Sequence, residues 1–168
     1  MLTSAIMVVF PLCLAFAAIS DALTMTIPNR VSVILLATFA IVAPIAGLPW
    51  QDYAMHFAAG LIVFVVCFGL FGIGVMGGGD AKLLTATAVW FGLNMELLDF
   101  LVAVAMIGGL LTILLVICRL PAFAIYRFGP VSHLLEPKAG IPYGIAIGIA
   151  ALICYPQSPL VQMVLLHH

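Results

Sequence analysis

Apolar stretches recur along this chain, and each is close to the length that a bilayer-spanning helix requires. A helix needs about 20 residues to cross the hydrocarbon layer. With 66% hydrophobic and only 7% charged residues, the chain has more apolar surface than a soluble domain could bury. The sequence therefore predicts an all-α polytopic membrane protein with about six transmembrane helices, forming one integral membrane domain over residues 1–168. The predicted helices are Leu2–Ile19, Val31–Leu48, Ala54–Met76, Leu83–Leu98, Phe100–Cys118 and a last one from Ile141 onward.

Polar residues and prolines interrupt two of these segments. The apolar run of the fourth segment stops at Leu93, before Asn94, so we expect a short or partly re-entrant helix there. Pro156 and Pro159 interrupt the last segment, because proline cannot donate the hydrogen bond that a helix interior needs.

The positive charges fall only in alternate connections between the predicted helices. Arginines and lysines near span ends favour the cytoplasmic side of a membrane. The first, third and fifth connections are therefore predicted to be cytoplasmic, with the N-terminus and the C-terminus outside. This orientation places Asp21 and Asp80 on the same, cytoplasmic side. The cations behind this prediction are Arg30, Lys82, Arg119, Arg127 and Lys138.

Asp21 and Asp80 each lie at the end of an apolar run, where an ionised carboxylate is costly unless it is paired, hydrated or neutralised. Two such acids facing one another cannot both ionise cheaply, so they share a proton. One then serves as a base that activates water, and the other as an acid that protonates a leaving amine. We expect this site to need no cofactor and no metal.

Other interpretations of the two acids remain open from the residues alone. Asp80 is a favoured residue type for the N-cap of the fourth helix, and Asp21 is compatible with a solvated position beyond the end of the first. Acids in membrane segments also mark proton and ion pathways, so a small proton- or ion-coupled transporter is an alternative. A non-catalytic assembly protein of a pilus or secretion system is another.

Three short motifs resemble those of prepilin peptidases, which are GxGD membrane aspartic proteases. The string Gly-Gly-Gly-Asp-Ala-Lys-Leu-Leu at positions 77–84 resembles the second-aspartate motif of that family. Asp21 followed by Ile27-Pro28-Asn29 resembles the first-aspartate motif, and Ile141-Pro142-Tyr143-Gly144 resembles a third segment that opens the last helix. The resemblance implies catalytic roles for Asp21 and Asp80. It implies supporting roles for Gly77, Gly79, Lys82, Pro28, Asn29, Pro142, Tyr143 and Gly144.

The resemblance further implies an endopeptidase that removes the leader from type IV prepilins. Family members cleave after a glycine, just before the apolar helix of the substrate, and the basic leader remains cytoplasmic. The implied location is the bacterial inner membrane, with the active site on its cytoplasmic side. The implied partners are the prepilin and membrane lipids, and indirectly the pilus assembly or secretion machinery. The net charge of −1 gives no electrostatic basis for nucleic-acid binding.

Two departures from the family pattern narrow this expectation. Larger members carry a cytoplasmic domain with paired CxxC motifs and also N-methylate the new N-terminus. This sequence has no CxxC, so it resembles the short form associated with Flp-type (tight-adherence) pili, and no methylation is expected. The stretch after Asp21, usually basic in the family, here reads Ala-Leu-Thr-Met-Thr and carries no cation.

The predicted orientation can be tested by labelling substituted cysteines. Asp52→Cys lies in the second connection and Arg127→Cys in the fifth, so a membrane-impermeant thiol reagent should reach them from opposite sides. Labelling of both from the outside would contradict the placement of the two aspartates on the cytoplasmic side.

Overall fold

The computed structural model describes residues 2–120, 132–136 and 139–166, and within these ranges all regular structure is helical. The predicted all-α class is thereby confirmed. Two short 3-10 turns, Ser132–Leu135 and Tyr155–Gln157, accompany the α-helices. Arg127 and Lys138, on which part of the orientation argument depends, lie outside the described residues. The helices are α1 (Leu2–Thr24), α2 (Asn29–Ile45), α3 (Trp50–Gly72), α4 (Gly78–Phe91), α5 (Met95–Cys118), α6 (Tyr143–Cys154) and α7 (Pro159–Leu166).

The short helix α4 lies at the centre of the bundle and packs against α2, α3 and α6. From Leu83 to Phe91 its side chains are buried with the exception of Thr85, which is half-buried. A helix that is apolar on all sides is stable only when neighbours surround it. Trp90 anchors the packing, because its indole N–H donates to the carbonyl oxygen of Leu35 at 3.2 Å and its ring centroid lies 4.7 Å from that of Phe10.

Within the described part of the chain, three helices are long and apolar enough to cross a membrane: residues 6–24 of α1, α3 and α5. A fourth span results if the bent pair of residues 143–157 and 159–165, with 41° between its halves, counts as one. Helix α2 has 17 residues and α4 has 14, which is short for a full crossing. The membrane class is supported, while the number of six spans and the sides of the termini stay predictions.

The first helix is longer than predicted, and this changes the setting of Asp21. Its predicted end at Ile19 is wrong, because α1 continues to Thr24. The Thr24 hydroxyl donates to the carbonyl oxygen of Ser20 at 2.8 Å within the last turn. Asp21 therefore lies inside the helix and not in the connection that follows it.

The predicted bounds of the middle helices are also wrong. Helix α3 begins at Trp50, directly after Pro49 and ahead of the predicted start at Ala54. Helix α4 begins at Gly78, ahead of the predicted start at Leu83. It ends before Gly92, whose φ of 76° requires a residue without a side chain.

The chain resumes as α5 soon after this break. Asn94 is the N-cap of α5, and its side-chain oxygen accepts a hydrogen bond from Leu97 N–H at 3.1 Å. Leu98 consequently belongs to α5. Its predicted place at the end of the fourth segment is wrong.

The predicted interruption of the last segment is confirmed. Helix α6 ends at Cys154, a 3-10 turn carries Pro156, and α7 begins at Pro159. Tyr155 fixes the turn against α1, because its hydroxyl donates to the carbonyl oxygen of Ile6 at 2.8 Å and its ring stacks on Phe10 at 4.0 Å.

The contact between α3 and α4 predicts a specific effect on stability. A Cβ at Gly60 would overlap Cγ2 of Val89, so Gly60→Ala should lower the free energy of unfolding by about 1–3 kcal/mol. Gly69→Ala, in the same helix with nothing within 4 Å of the added atom, is the matched control and should be neutral or slightly stabilising.

Thermal unfolding in detergent measures both variants. Adding Val89→Ala removes the overlapping atom, so the double variant should be more stable than the sum of the single effects by at least about 0.5 kcal/mol. Equal losses at the two glycines would contradict this account of the packing.

Candidate active site

Asp21 projects from the last turns of α1 into the bundle, where its residue surface is only 5% exposed. Its Oδ2 accepts a hydrogen bond from the backbone N–H of Gly144 at 2.7 Å. Gly144 is the second residue of α6, and the first N–H groups of a helix have no partner within the helix. The start of α6 thus supplies a donor, and the positive end of a helix dipole, to a buried carboxyl group.

Only glycine fits at position 144 in this arrangement. A Cβ there would lie 2.8 Å from Asp21 Oδ2 and 3.0 Å from Asp21 Cβ, closer than real Cβ atoms approach other heavy atoms. Further along α6, a Cβ at Gly148 would lie 3.1 Å from that of Ala18. Both glycines of this GxxxG pair are therefore covered by α1.

Asp80 is the third residue of α4 and lies in its first turn. Gly77 occupies the N-cap position, so the alternative that Asp80 is the N-cap is wrong. The carboxyl group folds back over Gly77, where a Cβ would lie 2.9 Å from Asp80 Oδ2. The alternative of a solvated Asp21 beyond the end of α1 is contradicted by its burial within that helix.

The two carboxyl groups are electrostatically coupled. Asp80 lies in α4, which is not one of the helices long enough to span a membrane. Burial raises the pKa of Asp80 to about 7, the charge of Asp21 adds to this rise, and the Gly144 N–H opposes it. A carboxyl group with this pKa holds a proton over much of the neutral range, which is the property required of a general acid.

Two cavities meet at the aspartate pair. The smaller one, of about 270 Å³, opens towards the connection between α1 and α2. The larger one, of about 590 Å³, lies between the end of α3 and the start of α6. Asp21, Met25, Gly77 and Asp80 line both cavities, so a peptide passing from one to the other would cross both carboxyl groups. Thr26, Ile27, Asn29, Gly78 and Gly79 complete the smaller cavity, and Leu70, Gly74, Val75, Met76, Gly140, Ile141 and Tyr143 complete the larger one.

The remaining motif residues connect the helices that carry the pair. Lys82 Nζ donates to Asn29 Oδ1 at 2.9 Å, joining α4 to the first residue of α2. The resemblance implies a supporting role for Lys82, and in the structure its side chain contacts Asn29. Pro28 and Pro142 are the N-cap residues of α2 and α6. The Tyr143 ring packs on α5, where a Cβ at Gly108 would lie 2.7 Å from it.

Arg119 supports the approach to α6, a role that its residue type and position in the sequence did not predict. At the end of α5 its guanidinium donates to the carbonyl oxygens of Leu134 at 3.0 Å and Gly140 at 2.7 Å. Its position after an apolar helix suggested only a topology signal. A cation that follows a helix and precedes a glycine-containing connection is also a candidate to bind that connection's carbonyl groups.

His56 lies away from the pair and has a packing role. It is 3% exposed, its Nδ1 is 2.7 Å from the carbonyl oxygen of Val89, and its ring covers Gly92. Among the described residues, no three histidines, cysteines or acids come together as a metal-binding group.

Comparison with known proteins identifies the family of this chain. Residues 8–117 match the family model described as the type IV leader peptidase family. No curated protein and no solved structure matches the chain. The matched region covers about two thirds of the sequence and contains both aspartates. The chain therefore belongs to the type IV leader peptidase family.

Proposed function

We propose that the chain is an aspartic endopeptidase in which Asp21 and Asp80 form the catalytic pair. Family membership makes it a protease with a prepilin substrate. The observation that carries the aspartic assignment is that both carboxyl groups line the same two adjoining cavities.

The proposed reaction needs only the two carboxyl groups and a water molecule. One carboxylate takes a proton from water, whose oxygen then bonds to the carbonyl carbon of the scissile peptide. The carbon–nitrogen bond breaks, and the protonated carboxyl group gives its proton to the leaving amine. The carboxyl that accepted the first proton becomes the acid of the pair, so the pair as a whole is unchanged after each cycle.

The substrate enters this site in an extended form. A helical peptide engages its N–H and C=O groups within itself, so the cleavage region has to be unwound before it can cross both carboxyl groups. Gly77 is exposed beside Asp80, and a neighbouring chain can approach the backbone of a glycine closely.

We place cleavage at the cytoplasmic face, on substrates of the Flp type. Arg30 and Lys82 lie in the first turns of α2 and α4, on the same end of the bundle as the pair, and cations favour the cytoplasmic side. Two further features support the short form of the family, which cleaves without methylating. The connection between α1 and α2 is short, Met25 to Pro28, and the sequence has no CxxC.

Replacing either carboxyl group by an amide tests the paired mechanism. Asp21→Asn and Asp80→Asn keep the size of the side chain but cannot exchange the proton, so each should reduce leader removal by about 10²–10⁴-fold. The measurement follows a Flp-type prepilin on a gel after co-expression with each variant.

Asp99→Asn is the matched control, because Asp99 is exposed on α5 and lines neither cavity. It should process the prepilin at the wild-type rate. Normal processing by either of the other two amide variants would end the paired-acid proposal.

The pH dependence of cleavage should report the protonation of Asp80. Because the pKa of Asp80 is about 7 and one proton must remain on the pair, kcat/KM should fall above pH 7 by about tenfold per pH unit. Initial rates between pH 5 and 9, with the purified chain in detergent, measure this fall, which is the alkaline limb of the pH profile. A rate that stays constant or rises from pH 7 to 9 would contradict it.

The same pKa predicts a pH-dependent stability. The folded chain holds a proton on Asp80 that an unfolded chain releases at about pH 4, so the stability of the wild type should decrease as the pH rises from 4 towards 7. Asp80→Asn lacks this titration. Its melting temperature relative to the wild type should therefore increase over that range, and a constant difference would contradict the raised pKa.

A further inference from the structure

Ile27 lies between the two glycines that flank the aspartate pair. A Cβ at Gly79 would be 3.3 Å from Ile27 Cβ and 3.7 Å from its Cγ1. A Cβ at Gly144 would be 2.8 Å from Ile27 Cδ1. One side chain therefore contacts the backbone next to Asp80 with its inner carbons and the backbone that binds Asp21 with its outer carbon.

The chain on both sides of Ile27 is held in place. Before it, the carbonyl oxygen of Thr26 accepts a hydrogen bond from the Ser20 hydroxyl at 2.9 Å. After it, Pro28 is the N-cap of α2, and its carbonyl oxygen accepts from Val31 N–H at 3.0 Å. These bonds fix the Ile27 backbone to the end of α1 and the start of α2, so its side chain projects from a defined point.

The shape of the residue suits a spacer. Isoleucine is branched at Cβ, which restricts its χ1 angle and so the direction in which the side chain leaves the backbone. Glycine at both contact points allows the two backbones to approach the spacer directly. The side chain is half-buried and packs against the core, so water does not fill the same space.

From these contacts we propose that Ile27 is a positioning residue that sets the separation between the first turn of α4, with Asp80, and the first turn of α6, which binds Asp21. The inference rests on the proposed catalytic pair and deepens it. If Ile27 is shortened, α4 and α6 are free to shift relative to one another. A displacement of about 1 Å in reacting groups can reduce a rate by about 10²-fold.

A role in contacting the substrate predicts a different kinetic result. Ile27 also lines the smaller cavity, where a lost contact would weaken binding and raise KM. If Ile27 acts as a spacer, shortening its side chain displaces the reacting carboxyl groups while the rest of the cavity still binds the peptide. The substitution then lowers kcat. The two effects are separable by steady-state kinetics.

The test is a truncation series at Ile27 measured with purified protein and a Flp-type prepilin. Ile27→Ala should lower kcat by about 10–100-fold, with KM within about twofold of the wild type. Ile27→Val keeps the branch that contacts Gly79 but lacks the carbon that reaches Gly144, so its kcat should be intermediate. Ile107→Ala is the matched control, because Ile107 is half-buried on α5 and lines neither cavity; its kcat should be unchanged.

The pH profile gives a second measurement that a general packing defect would not change. Among the described residues, the titratable groups that line a cavity with Asp80 are Asp21 on α1 and Tyr143 across the larger cavity, while Lys82 is bonded to Asn29. Truncating Ile27 reduces the burial that raises the pKa of Asp80, and a wider separation also weakens the effect of the Asp21 charge on it. The alkaline limb of Ile27→Ala should therefore move to lower pH, and that of Ile107→Ala should stay in place.

Each outcome decides the proposal. Equal kcat for Ile27→Ala and the wild type would overturn it, as would a rise in KM without a fall in kcat. If Ile27→Ala does not fold, the Val variant decides, and a wild-type kcat and alkaline limb there would overturn the spacer role. Failure of the catalytic proposal is recognised separately, by cleavage that persists in Asp21→Asn or Asp80→Asn.

Discussion

The hydrogen bond between Asp21 and the backbone of Gly144 joins residues that are 123 positions apart, and the site depends on it. A carboxyl group in an apolar bundle is costly to bury without a donor. The start of α6 provides that donor at no conformational cost, because its first N–H groups have no other partner. This contact satisfies the buried Asp21 carboxyl group, and it acts together with the packing of Gly148 against Ala18 to hold α6 beside α1.

Glycine allows this contact and the others around it to form. Gly144 admits the Asp21 carboxyl group, Gly79 admits Ile27, and Gly77 lies under Asp80. In each case the side chain of Asp21, Ile27 or Asp80 approaches the backbone of a glycine, where a Cβ atom would clash with it. Gly77, Gly79 and Gly144 are thus explained by close packing around two acids, a role distinct from flexibility.

The sequence predicted the all-α class, and the proximity of Asp21 and Asp80, better than it predicted the bounds of the helices. Hydropathy identifies apolar runs, but the ends of α1 and α4 depend on where neighbouring helices cover the backbone, and this is invisible in one sequence. Asp21 was expected at a helix end, and tertiary packing extended α1 past it. The Gly144 N–H could not be predicted, because a backbone donor has no residue type to recognise.

The short helix α4, at the centre of the bundle, determines the surroundings of Asp80. Helix α4 is too short for an ordinary crossing. Its neighbours α2, α3 and α6 bury most of it from Leu83 onward, while its first turn with Asp80 is half-buried. An acid in its first turn gains the favourable end of the helix dipole and is partly shielded from water by the same neighbours. Burial keeps a proton on Asp80 near neutral pH, while the adjoining cavities give a peptide access to it. A longer α4 would carry this turn out of the bundle, and Asp80 would then lose the burial that raises its pKa.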